Sequence, residues 1–137
     1  MLTIFTDGAS RGNPGHSSYG FVVLNDKNEI LYEGKKYLGI ETNNFAEYSA
    51  VLESLLYVSK NLRDTDIRFF MDSLLVVMQL SGKYKIKSPN LLPLIEQIKK
   101  LEKLFSKITY SHVPREKNKM ADKLANIALD NHLSKTT

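Results

Sequence analysis

The sequence predicts an α/β fold: one mixed sheet of five strands with helices on both faces. Three observations carry this. Short apolar runs of strand formers open the chain and are separated by turn residues. From Phe45 onward the apolar positions switch to helical spacing. Beyond that point strand-type and helix-type segments alternate, which predicts that the later strands lie parallel. The predicted order is βββαβααβα. At 137 residues one domain is expected, residues 1–133, with a fraying tail at 134–137.

Leu2, Ile4 and Phe5 predict a first strand over residues 2–6, stopping at Asp7. Gly8, Gly12, Asn13, Pro14 and Gly15 follow as a dense set of turn residues. YGFVVL (19–24) and EILYEGKKYL (29–38) predict a hairpin across the polar turn NDKN, giving a three-stranded antiparallel opening. ETNN (41–44) breaks the pattern. A helix is expected from Phe45 to about Asn61, with Asn44 as its N-cap and Glu47 completing a capping box. Residues 64–66 mark a turn, and IRFFM (67–71) is a buried-type strand ending at Asp72. A short helix over 73–80 has Asp72 placed to cap it. A basic loop covers 81–89. An amphipathic helix spans 91–105, with Pro93 tolerated in its first turn. The last strand is 108–113, 114–117 is a loop, and the last helix runs from Asn118 to about His132.

Composition narrows the function classes. Hydrophobic residues at 42% and charged residues at 25% are globular values, so disorder is not the expectation. The absence of cysteine excludes a disulfide framework, a thiol nucleophile and a thiolate zinc site. No apolar run approaches the roughly 18 residues of a membrane span, and MLTIF lacks a basic n-region. A cytoplasmic protein without membrane partners is expected. The net charge of +4 permits a polyanionic partner. GKYKIK (82–87) and KKLEK (99–103) concentrate lysines, and each also reads as a solvated face.

Four acidic residues sit inside or beside apolar segments at element boundaries: Asp7, Glu47, Asp72 and Asp122. Each has a structural reading. Asp7 suits an Asx turn, Glu47 a capping box, Asp72 an N-cap, and Asp122 the positive end of a helix dipole. Together they point further. Strand ends in α/β sheets gather ligands. Clustered carboxylates repel unless one keeps a proton or a hard divalent cation joins them.

TDGASRGNPG (6–15), TNNFAEY (42–48), FFMDS (69–73) and HVPREKNKMADKLAN (112–126) resemble type 1 ribonuclease H in order and spacing. The resemblance covers nearly the whole chain. It implies the ribonuclease H-like fold and hydrolysis of the RNA strand of RNA–DNA hybrids. It further implies a two-metal site of Asp7, Glu47, Asp72 and Asp122 and products with 5′-phosphate and 3′-hydroxyl ends. Mg²⁺ is the expected ion, two per site, with Mn²⁺ as a substitute. No small-molecule cofactor is expected, and the chain should act as a monomer.

His112 has the spacing of the family's assisting histidine, but it sits at a strand end in YSHVPRE, where it also reads as a packed side chain. Arg115 is the other candidate, carrying a fixed positive charge. Glu116 is a lesser one, for recruiting a metal. Asn13, Asn43 and Asn44 match hybrid-contacting positions, and Thr42 matches a DNA-phosphate pocket. Amides and hydroxyls suit a ribose 2′-OH because they both donate and accept.

Two departures stand out. Leu74 replaces a polar residue that many relatives carry two positions after the third acid. The segment between the short helix and the 91–105 helix is brief, which leaves Lys83, Tyr84, Lys85 and Lys87 to replace part of the family's larger basic surface. Weaker, more salt-sensitive binding is the expectation.

Two other classes compete with a nuclease for hybrids. A non-catalytic module binding hybrid or double-stranded nucleic acid would be expected to lack one of the acids. Another phosphoryl-transfer enzyme on the same fold would lack the pairing of amides with the helix acid in TNNFAEY.

Overall fold

The structure is a computed structural model that describes residues 1–63 and 66–134. Residues 64 and 65 of the expected turn, and residues 135–137 of the expected tail, lie outside the described residues; Asp66 already belongs to a strand. The elements are β1 (Leu2–Gly12), β2 (Gly15–Leu24), β3 (Ile30–Glu41), α1 (Asn43–Asn61), β4 (Asp66–Met71), α2 (Leu74–Leu80), α3 (Leu92–Glu102), β5 (Lys107–His112) and α4 (Lys119–Ser134). A short 3-10 turn, Arg115–Lys117, precedes α4. The order βββαβααβα is as expected.

The sheet order is β3-β2-β1-β4-β5. β1–β2 and β2–β3 are antiparallel, while β1–β4 and β4–β5 are parallel. The parallel pairing of β1 with β4 ends at Phe5↔Phe70, yet β1 stays paired with β2 to Gly12↔Gly15. The sheet is thus five strands wide at its base and three strands wide beyond Asp7. This corrects the expectation that the first strand stops at Asp7. Gly8 and Gly12 do not break the strand, because the β2 ladder holds both, Gly8 opposite Tyr19 and Gly12 opposite Gly15.

Side chains alternate across the sheet. On one face Ile4, Phe21, Val23, Phe69 and Met71 pack with Tyr48, Val51 and Leu55 of α1, Val76 and Leu80 of α2, and Ile98 of α3. Each such burial stabilises the fold by about 1.5–3 kcal/mol. The other face takes α4 through Ala121, Ala125, Ala128 and Leu129. Small residues there let the helix lie close: Ser18 donates to the Ala125 carbonyl, and Gly20 touches the α4 backbone. Among the described residues, no helix is long and apolar enough to cross a membrane.

Both expected caps shift by a residue or two. Thr42, not Asn44, caps α1, its Oγ1 accepting from the Phe45 amide at 3.2 Å. Ser73, not Asp72, caps α2 through Val76 N at 3.3 Å. Glu47 therefore lies past the first turn and takes no part in a capping box. α3 ends at Glu102 rather than 105, and Leu104, expected on its buried stripe, is 65% exposed.

Candidate active site

Asp7 stands where β4 leaves β1, so its carboxylate meets the gap at the parallel strand ends. Two glycines beside it let helices approach from opposite faces. A Cβ on Gly8 would lie 2.4 Å from Glu47 N, so α1 rests directly on β1 there and brings Glu47 beside Asp7. A Cβ on Gly20, the partner of Asp7 in β2, would lie 2.4 Å from Ala121 O, so α4 rests on the ladder and brings Asp122 in. Asp72 follows the end of β4. Its Oδ2 accepts from Asn118 Nδ2 at 3.3 Å, and the same amide donates to Thr6 O at 2.9 Å.

Carboxylate oxygens of Asp7, Glu47 and Asp72 all lie within 4.8 Å of one another. Asp122 shares with Asp7 a cavity of about 310 Å³ lined also by Arg11, Asn43, Arg115 and Asn126. Asp7 is 5% exposed and Glu47 7%. Burial pushes the Asp7 carboxyl up to about 10, with Glu47, Asp72 and Asp122 adding to the shift. Glu47 is also raised, first by burial and then by Asp72, against the lowering effect of the Gly8 backbone hydrogen bond. Of the two buried carboxyls Asp7 is raised the further.

This donor set fits a hard divalent cation. It consists of carboxylate oxygens without sulfur or imidazole, and Glu47 Oε2 is buried with no hydrogen-bond partner. A cation there would offset the burial and the mutual repulsion that raise both carboxyls.

The other expected residues divide. Arg115 lines the carboxylate cavity. His112 does not: it is exposed at the end of β5, opposite Met71, so it is not the packed strand histidine that its pattern suggested. Glu116 lines a separate depression with Phe5 and Met120. Asn13 Oδ1 accepts from Asn43 N at 3.1 Å, tying the β1–β2 tip to the start of α1, and Asn43 lines the cavity. Thr42 is the cap of α1, and Asn44 lies half-buried in its first turn. Lys83, Lys85 and Lys87 are exposed on the loop after α2 and line no part of this cavity.

Sequence reasoning missed Arg11, Asn118 and Asn126. Asn126 carried one usable signal, its spacing four residues after Asp122 on a helix.

Over residues 5–128 the chain matches the family described as Reverse transcriptase-like. The bifunctional protein Rv2228c of Mycobacterium tuberculosis is 45% identical over 130 residues, which are 94% of this chain and 35% of that protein. Ribonuclease HI of Halobacterium salinarum is 39% identical over 126 residues, 92% of this chain and 63% of that protein. The chain thus spans between about a third and two thirds of these relatives' lengths. The crystal structure of LC11-RNase H1 in complex with RNA/DNA hybrid superposes with a TM-score of 0.89 at 39% identity, covering 97% of this chain and 99% of that one.

Proposed function

Since the chain belongs to the type 1 ribonuclease H family, we propose that it is an endoribonuclease that cuts the RNA strand of RNA–DNA hybrids. The observation that carries this reading is the mutual approach of Asp7, Glu47 and Asp72 within 4.8 Å, with Asp122 lining the same cavity as Asp7. The hybrid bound by the LC11 relative supports the substrate class.

In this reading the four carboxylates hold two divalent ions, Mg²⁺ with Mn²⁺ as a substitute. When bound, such ions polarise phosphoryl oxygens and lower the pKa of water, which suits in-line hydrolysis to 5′-phosphate and 3′-hydroxyl ends. The chain's own residues do the rest. Asn43, at the rim of the cavity, and Asn13, hydrogen-bonded to it, offer amides to the sugars of the hybrid. At the same helix start Asn44 adds an amide for the hybrid, and Thr42 a hydroxyl for a phosphate of the DNA strand. Arg115, which lines the cavity, would offer the scissile phosphate's oxygens a charge that pH does not remove. Lys83, Lys85 and Lys87 attract the duplex from further out. The protein is expected to act as a monomer in the cytoplasm.

The test is a labelled hybrid set beside RNA duplex and single-stranded RNA, with Mg²⁺, Mn²⁺ or EDTA. Internal cuts confined to hybrid RNA, and lost in EDTA, are the expected result. Hybrid binding without cleavage under either metal would instead make the chain a binding module.

A further inference from the structure

Asp122 is held differently from the other three acids. Asp7, Glu47 and Asp72 are gathered by the sheet ends and α1, whereas Asp122 comes alone from α4 and, like Asp72, is half-buried. A half-buried aspartate has several open rotamers, so something must choose the one that faces Asp7.

Asn126, one helical turn later, donates from Nδ2 to the Asp122 carboxylate at 3.2 Å and to the Asp122 carbonyl at 3.0 Å. Its own Oδ1 accepts from Arg11 Nη2 at 3.4 Å, and that same Nη2 lies 2.6 Å from Asp130 Oδ1. A carboxamide has a donor end and an acceptor end, while a guanidinium only donates. Arg11 therefore selects the orientation in which Nδ2 faces Asp122. Asp130, one turn further along α4, keeps Arg11 in place.

We propose that Asn126 is a positioning residue for Asp122, and that Arg11, clamped by Asp130, orients Asn126. The three form a strap from the β1–β2 hairpin to α4 that holds the fourth carboxylate toward Asp7. This rests on the metal-dependent reading of the site. It uses one Asp122 oxygen for the amide and leaves the other for a cation, so the strap acts on cation affinity and turnover rather than on hybrid binding.

The test uses the full chain with Asn126→Ala, Arg11→Ala and Arg11→Lys. The readouts are the half-saturating Mg²⁺ concentration, kcat and KM for hybrid cleavage, and the NMR signals of the Asn126 side-chain amide during Mg²⁺ titration. Partners that orient ligands commonly change affinity or activity by about 10–100-fold. Asn126→Ala should raise the half-saturating Mg²⁺ concentration about tenfold and lower kcat, with KM for hybrid changing less than about twofold. Arg11→Ala should follow in the same direction. Arg11→Lys, which keeps a donor and a charge, should recover most of the loss, an outcome that mere unfolding would not produce. The Asn126 amide should shift on Mg²⁺ addition, and shift less in Arg11→Ala.

An unchanged Mg²⁺ dependence in Asn126→Ala, or an Arg11→Ala effect confined to KM, would overturn the proposal. If the unmodified chain cuts no hybrid, the ribonuclease reading fails separately. The amide titration still decides the strap, because an Asn126 signal indifferent to Mg²⁺ rejects it.

Discussion

Asp7 and Gly20 face each other across the β1–β2 ladder, and the missing side chain of Gly20 is what lets α4 carry Asp122 to Asp7. The helix backbone fills the space a Cβ would need: Ala121 O at 2.4 Å and Ala125 N at 2.7 Å. Neither atom belongs to a side chain that could swing aside.

Gly20→Ala should therefore push α4 outward. Overpacking of this kind costs about 1–3 kcal/mol, to be read from urea unfolding. Hybrid cleavage should fall further than stability alone explains, because Asp122 moves away while Asp7, Glu47 and Asp72 stay together. A Gly20→Ala protein with unchanged unfolding midpoint and turnover would show that α4 does not depend on this approach.

The raised carboxyls set a second expectation, for protein held in EDTA. Asp7 keeps its proton up to about 10 when folded, against an ordinary value of 3.8. Between those values the unfolded chain binds fewer protons than the folded one, so stability falls as pH rises. Glu47, raised to about 8, adds to the fall over its own range. Urea midpoints at pH 5, 7 and 9 should decline, by an amount on the order of a few kcal/mol. Saturating Mg²⁺ should flatten the decline. Asp7→Asn should flatten it as well, make the EDTA-treated protein more stable than the unmodified chain at pH 8, and nearly abolish turnover. An Asp7→Asn protein less stable than its parent at pH 8 in EDTA would remove the electrostatic account.

These pairs also explain what could be read from the chain alone. The order of elements was legible because periodicity is local. The four acids were legible because each is embedded in an apolar segment where a carboxylate needs a reason. The length of β1 was not. Gly8 and Gly12 carry turn chemistry in their residue type, and the reason for Gly8, the backbone of α1 lying against it, sits about forty positions away. The caps were misassigned for a related reason. Asn44 and Asp72 are good cap residues, but Thr42 and Ser73 take those roles, which leaves Asp72 for the site. Arg11 and Asn126 are 115 residues apart, and no spacing rule joins them.

Arg115 and His112 make opposite predictions. Arg115 lines the carboxylate cavity, and His112 stands exposed at the end of β5. Arg115→Ala should reduce kcat about 10- to 100-fold, the scale of removing one group that stabilises developing charge. His112→Ala should change it less than about threefold. The acidic limb of the pH–rate profile should then lack a histidine-dependent step, since a guanidinium keeps its charge throughout. A larger loss in His112→Ala than in Arg115→Ala would reverse the assignment.

The loop between α2 and α3 supplies the last prediction. Lys83, Lys85 and Lys87 are exposed, but the loop that carries them is anchored. Ile86 packs against the core between two of the lysines. Tyr48 donates to Gln79 Oε1 at 2.5 Å, and Gln79 Nε2 reaches Lys85 O at 3.4 Å. Tyr48 is next to Glu47, so the lysines are tied to the helix that carries a site carboxylate. If all three meet phosphates of a bound hybrid, replacing them with alanine should lower the slope of log binding constant against log salt by up to about 2.7, at roughly 0.9 per contact in duplex DNA. Affinity should fall most at low salt, while kcat on saturating hybrid stays within about twofold, because none of the three lines the carboxylate cavity. An unchanged slope would mean that the duplex does not reach this loop.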